Sequence, residues 1–187
     1  DEGWIPDYLN NRYTADSIEW GFVRFAIGST RIAFWEPTAA VDAAGFGYSV
    51  QYYAEFIRAV IASQGYDPTT YDPATDRQCV EEVFIQIGET DAKSSTSKAS
   101  FKASLSAIAA QIKTDLGSGV IIRVSVLQDL FSTGYVATEA QLTAIQDAVT
   151  ETIANDANVS AGPDFSGYVL DTDPPEGSGN VHFYTDA

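Results

Sequence analysis

Residues 83–92 read VFIQIGETDA: a mostly apolar, β-prone run, then a glycine, then two acids on either side of a threonine. Val, Phe and Ile bounded by Gly read as a buried strand over 83–87. In α/β proteins ligands gather outside the carboxyl ends of strands. Gly88, Glu89 and Asp91 therefore stand where chemistry is expected. Glu89 would contact a substrate or orient a neighbouring loop, and Asp91 would cap the next segment. A turn with solvated acids accounts for the same letters.

Working outward, the pattern alternates. WGFVRFAI, 20–27, is aromatic and β-branched and stops at Gly28, as a strand would. Val50, Tyr53, Ala54, Ile57, Val60 and Ile61 recur at helical spacing and Gly65 closes the run. The two Asp-Pro pairs of YDPTTYDPATD, 66–76, mark a surface loop. After the polar linker KSSTSK, a helix is expected on Phe101, Leu105, Ile108, Ile112 and Leu116, with Gly117 at its C-terminal cap. VIIRVSVL, 120–127, is the next strand, and Thr138 with Gln141 has capping-box spacing ahead of Leu142, Ile145, Val149 and Ile153. GYVLD, 167–171, reads as a last strand before the loop TDPPEGSGNVHF. Alternating strands and helices, with central strands apolar on both faces, predict an α/β fold: a parallel, flavodoxin-like sheet in a three-layer sandwich, helices on both faces.

Composition narrows function. With 187 residues and 45% hydrophobic content the chain suits one globular domain. Twenty-six acids against ten bases give a net charge of −16, which disfavours nucleic acid as a partner. The single Cys79 excludes an internal disulfide framework and a Cys-rich zinc site, and no metal site is expected. Asp67, Asp72 and Asp76 match no calcium-loop spacing and read as solvated. No apolar stretch approaches the ~20 residues of a membrane-spanning helix, so no membrane partner is expected. The chain opens on Asp1 and has no Met, which suggests a piece of something longer. Asn158-Val159-Ser160 forms a glycosylation sequon and is set aside.

Two further stretches carry candidate chemistry. In GSTRIAFW, 28–35, Gly28 would turn the chain sharply and free an amide for a developing oxyanion, with Ser29 and Thr30 as added donors. A strand-to-loop turn is the bland alternative. His182, the only histidine, is the side chain best suited to move a proton near neutral pH. Asp171, Asp173 or Glu176 would orient it, unless these are loop charges and the histidine is structural.

In this order the stretches resemble the SGNH hydrolase superfamily, and within it the sialate O-acetylesterase-like carbohydrate esterases. FVRFAIGSTRIAFW, 22–35, is similar to the family's strand leading into Gly-Gly-Thr-Ser and Trp. FIQIGETDA, 84–92, resembles its Trp-His-Gln-Gly-Glu-Ser-Asp-Ala, and GNVHF, 179–183, its Asp-Gly-Val-His-Phe. The resemblance implies hydrolysis of an O-acetyl ester on a carbohydrate through an acyl-serine, without cofactor. His182 is then the general base, with Asp173 or Glu176 beside it, and Gly28, Ser29, Thr30, Gly88 and Glu89 line the oxyanion and substrate site.

The departures are specific. Ser29 and Arg31 replace the second Gly and the Ser of the first block, and Gln86 and Ile87 replace His and Gln before Gly-Glu. Gly179 stands where the family's Asp-x-x-His places its acid, three residues before His182. The family's nucleophilic block, upstream of Gly-Gly-Thr, has no match in residues 1–27. Residues 1–187 are thus expected to form one SGNH-like esterase domain truncated at both ends. A missing segment or another chain would supply the first strand and the serine; Ser29 is the alternative nucleophile. Low sulfur and heavy negative charge fit an extracellular or phage or virus surface setting. The competing expectations are an inactive glycan-binding or structural relative, and a lipase or thioesterase of the same superfamily.

Overall fold

The computed structural model describes residues 23, 27, 29–76, 80–127 and 137–164. Along them run a single 3-10 turn, Ile32–Trp35; helix α1, Tyr52–Ser63; strand β1, Glu82–Ile85; a short helix α2, Glu89–Lys93; helix α3, Lys98–Leu116; strand β2, Ile121–Val126; helix α4, Glu139–Asn155; and strand β3, Val159–Asp164. Most of the expected strand at 20–27, and all of the one at 167–171, lies outside the described residues.

The three strands form one parallel sheet in the order β1-β2-β3. Val83 pairs with Ile122 and Ile85 with Val124. Ile122 pairs with Val159 and Val124 with Ala161, after which the register shifts and Val126 meets Asp164. Parallel neighbours require a long crossover, and α2–α3 and α4 provide the two crossovers here. The α/β class expected from the sequence is therefore observed.

Helix ends follow local chemistry. Gln51 accepts the Ala54 amide at 2.8 Å to start α1, and Ser97 accepts the Ser100 amide at 3.2 Å to start α3. Gly117, at φ 113, closes α3. The Thr138–Gln141 capping box forms in both directions, 2.6 Å from the Thr138 amide to Gln141 and 3.3 Å from the Gln141 amide to Thr138. Four backbone groups that a helix start would orphan are thereby satisfied locally.

Helices α3 and α4 pack against each other and onto one face of the sheet. Ile122 and Val124 project to that face and are buried among Phe101, Leu105, Leu142 and Ile145. Tyr53 of α1 donates its hydroxyl to Asp115 at 2.7 Å, holding α1 beside α3. The opposite face differs: Arg123 there pairs with Glu82 at 2.9 Å, and Ile121 is 40% exposed. Among the described residues the apolar core takes in Ile122 and Val124, and the apolar pattern of β2 is interrupted at Arg123, where the ion pair sits.

β3 was not anticipated, because VSAGPD contains Gly and Pro in mid-strand. Both residues fall at the register shift. A Cβ on Gly162 would lie 2.9 Å from the Val124 carbonyl carbon, so only glycine permits this approach of the two backbones.

Candidate functional site at the carboxyl end of β1

β1 ends at Ile85 rather than residue 87, and Gln86, Ile87 and Gly88 carry the chain off the sheet. Gly88 has φ 134, outside the range of ordinary side chains. A Cβ there would fall 2.8 Å from Ile145 Cγ2 and 2.9 Å from Leu127 Cδ1. Its side-chain position therefore faces α4 and the end of β2. Gly88 sets the exit angle, and what it offers a substrate is backbone only.

The next residues form the helix α2 and not the turn of the alternative reading, and its first bond runs from the Ala92 amide to the Gly88 carbonyl at 2.8 Å. Acids in the first turn of a helix are favoured by the exposed amides there, and Glu89 and Asp91 are both in it. Glu89 is half-buried. Burial raises its carboxyl above the ordinary value, its own amide works against that, and the Asp91 charge adds to it.

Asp91 is fully buried, which removes the reading of it as a solvated turn acid. Its Oδ2 accepts the Ile32 amide at 2.8 Å across 59 residues of sequence. Burial raises its carboxyl, opposed in turn by the Ile32 amide, the Thr96 hydroxyl and the Arg31 charge. Thr96 favours the charged form by proximity, yet Oδ1 has no hydrogen bond of ordinary geometry. Asp91 is thus a clamp between the loop after β1 and the block at 29–35. Sequence reasoning gave it a local capping role; no signal in one sequence links positions 32 and 91.

In the 29–35 block, Ser29 is exposed and adopts φ 60, so the left-handed residue of this sharp turn is a serine. Thr30 is buried. Its hydroxyl donates to the Ile27 carbonyl at 2.8 Å and accepts from Trp35 Nε1 at 2.8 Å. A hydroxyl has one proton, so the Thr30 side chain cannot also donate to an oxyanion. As placed here, Thr30 is a staple of the turn. Ile32 is buried beneath it, and Arg31 lies over the Phe34 ring at 4.8 Å.

Two of the expected blocks, 29–35 and 88–93, are therefore brought together. Gly28, Asp171, Asp173, Glu176 and His182 lie outside the described residues, as does Cys79. Among the described residues no cluster of three His, Cys, Asp or Glu groups fits a metal ion. The loop acids Asp67 and Asp72 close their own turns, Asp67 on the Thr69 amide at 2.9 Å and Asp72 on the Ala74 amide at 2.9 Å. A depression of about 460 Å³ lined by Lys98, Glu139, Thr143 and Asp147 is open to solvent, and Lys98 in it is already paired with Asp147 and Glu151.

No helix among the described residues is long and apolar enough to cross a membrane. Comparison with protein families, with curated proteins and with solved structures finds no match to this chain.

Proposed function

We propose that the chain is an SGNH-type esterase domain that removes O-acetyl groups from carbohydrate, built on a flavodoxin-like three-layer sandwich of which the β1-β2-β3 sheet is part. The observation that carries this reading is the Asp91–Ile32 hydrogen bond. It holds together, at the carboxyl end of a parallel strand, the two stretches that resemble the family's Gly-Gly-Thr-Ser and Gly-Glu-Ser-Asp blocks. Half-buried Glu89, two residues before Asp91, supplies a carboxyl group at that strand end.

In this reading a serine Oγ attacks the acetyl carbonyl while His182 takes its proton, with Asp173 or Glu176 orienting the imidazole. Backbone amides at Gly28 and Ser29 receive the developing oxyanion. The bond to the sugar oxygen breaks, His182 returns the proton to that oxygen, and water then releases acetate by the same route. The serine comes from a segment outside these residues or is Ser29, whose exposed position in a sharp turn favours it as the candidate within the chain.

The test is hydrolysis of p-nitrophenyl acetate by the full-length protein. His182→Ala should lower kcat by at least about 10³-fold with an unchanged unfolding midpoint. Glu89→Ala should reduce turnover far more than stability. Activity indifferent to both would remove the proposal. The second reading, an inactive glycan-binding relative, draws on Gly179 and on the commitment of the Thr30 proton to Ile27. Glycan binding with no turnover in an intact chain would favour it.

A further inference from the structure

The loop between the 3-10 turn and α1 carries two aromatic rings that the core does not use. Phe46 is 45% exposed and Tyr48 is 51% exposed. Their centroids are 6.3 Å apart with an interplanar angle of 83°, so they form an open corner of two nearly perpendicular rings. Exposed aromatics on a mobile tail would mean little. These are held.

Asp42 accepts the Phe46 amide at 2.9 Å and the Gly47 amide at 2.8 Å, one on each oxygen. The Asp42 amide donates to the Val50 carbonyl at 2.8 Å, and Gly45 and Gly47 take left-handed φ of 72 and 83. Both ends of the loop are tied down by Gln51, which donates to the Glu36 and Pro37 carbonyls at 3.0 and 2.8 Å. The loop is also connected to the candidate site. Trp35, bonded to Thr30, packs on Tyr52 with centroids 5.6 Å apart, and the Tyr52 hydroxyl reaches Asp42 at 3.4 Å. An unbroken path of contacts thus runs from the turn at Ser29–Thr30 to the carboxylate that shapes the aromatic corner.

The size of the corner argues for a small occupant. Half-exposed Phe and Tyr leave on the order of 200 Å² of ring surface to water, against roughly 800 Å² per partner in a stable protein interface. Charge argues against an anionic one, since the chain carries a net −16. A flat, rigid aromatic face contributes contact area at little entropic cost, and the apolar C–H face of a neutral pyranose fits it.

We propose that Phe46 and Tyr48 form a binding subsite for a neutral sugar ring, placed to hold the carbohydrate whose ester meets the Ser29–Glu89 rim. The proposal rests on the esterase reading for the identity of its ligand class, and its test is separable from that reading. The full-length protein is titrated with chitotetraose and with acetylated xylotetraose, both neutral, and with a hyaluronan tetrasaccharide as the anionic control. At least one neutral probe should bind, and Phe46→Ala/Tyr48→Ala should weaken it at least tenfold. Phe46→Leu/Tyr48→Leu, which keeps an apolar surface and removes the flat rings, should weaken it similarly, whereas Tyr48→Phe should retain it. Hydrolysis of p-nitrophenyl acetate, too small to need the subsite, should stay within twofold of wild type in every variant.

Platform-dependent sugar binding in a chain without esterase activity would uphold the subsite and remove the esterase reading. Neutral-probe affinity unchanged in the double variants, no binding of either neutral probe, or preference for the anionic probe would overturn the subsite. A wild-type dimer that becomes monomeric in Phe46→Ala/Tyr48→Ala would overturn it too, by assigning the corner to a second copy.

Discussion

The acids of Glu89-Thr90-Asp91 and those of the loop at 66–76 are the same chemistry in opposite settings. Asp91 is buried and its carboxyl is raised by burial, while Asp67 lies in solvent and is lowered by the Thr69 amide and hydroxyl. Both accept backbone amides. The difference is distance along the chain: Asp67 bonds residue 69, two positions on, whereas Asp91 bonds Ile32, 59 positions back. A local hydrogen bond shapes a turn that water would tolerate anyway. A distant one made out of water holds two loops in one place and exacts a desolvation cost for doing so. Fixed geometry at the expense of stability is what a site requires.

The sharpest way to break that arrangement is through the residue that aims it. Gly88→Ala places a methyl 2.8 Å from Ile145 Cγ2 at φ 134. Backbone strain and overpacking together should cost about 3 kcal/mol, read as a lower urea midpoint. Gly47→Ala, in the open loop with no heavy atom within 4 Å of the new methyl, carries the backbone strain without the clash and should cost less. Equal losses at the two glycines would mean that Gly88 is not packed as described.

Asp91 itself comes next. Asp91→Ala leaves the buried Ile32 amide unpaired, a penalty of about 1–3 kcal/mol. Asp91→Asn keeps an acceptor and sheds the buried charge, so it should be more stable than Asp91→Ala and close to wild type. Esterase turnover should fall in the alanine variant beyond what its stability explains, because the 29–35 block loses its anchor. Identical stabilities for Asn and Ala would show that the Ile32 bond contributes nothing.

The unequal legibility of the molecule has the same origin. Helices α3 and α4 were readable because their burial repeats every three or four residues and their ends carry local signals, Gly117 and the Thr138–Gln141 pair. β1 and β2 were readable as apolar runs. β3 was not, since Gly162 and Pro163 are there to meet a neighbouring backbone, a requirement invisible to periodicity. The helix at Glu89–Lys93 is not legible in the sequence because five residues carry too little periodicity. At the candidate site, the end of an apolar run at a glycine marks where the chain leaves the sheet, and the residue types draw attention to Glu89. The clamp at Asp91, the committed proton of Thr30 and the shaping of the Phe46–Tyr48 corner by Asp42 are contacts between separated positions, which no reading of spacing can supply.

The smallest effects are in pH, and their signs distinguish the two acidic regions. Glu89 is raised above its ordinary 4.5 by burial, its own amide opposing and the Asp91 charge adding. As pH climbs past 4.5 the unfolded chain ionises Glu89 before the folded one does, so the unfolded state holds fewer protons and stability falls until the folded carboxyl has also ionised. Glu89→Gln removes that loss. Its stability relative to wild type should be flat below pH 4 and rise between pH 4.5 and 7. For Asp67 the sign reverses: its folded carboxyl is lowered, so its contribution is complete above 3.8 and disappears as pH falls through the folded value. Asp67→Asn should therefore track wild type in acid and fall slightly below it at neutral pH, a small difference because the group is solvated. Urea midpoints of the three proteins at pH 3, 4.5 and 7 measure both trends. A Glu89→Gln curve running in the same direction as that of Asp67→Asn would mean that Glu89 is a solvent charge like Asp67, and would leave the rim without a carboxyl shaped by burial.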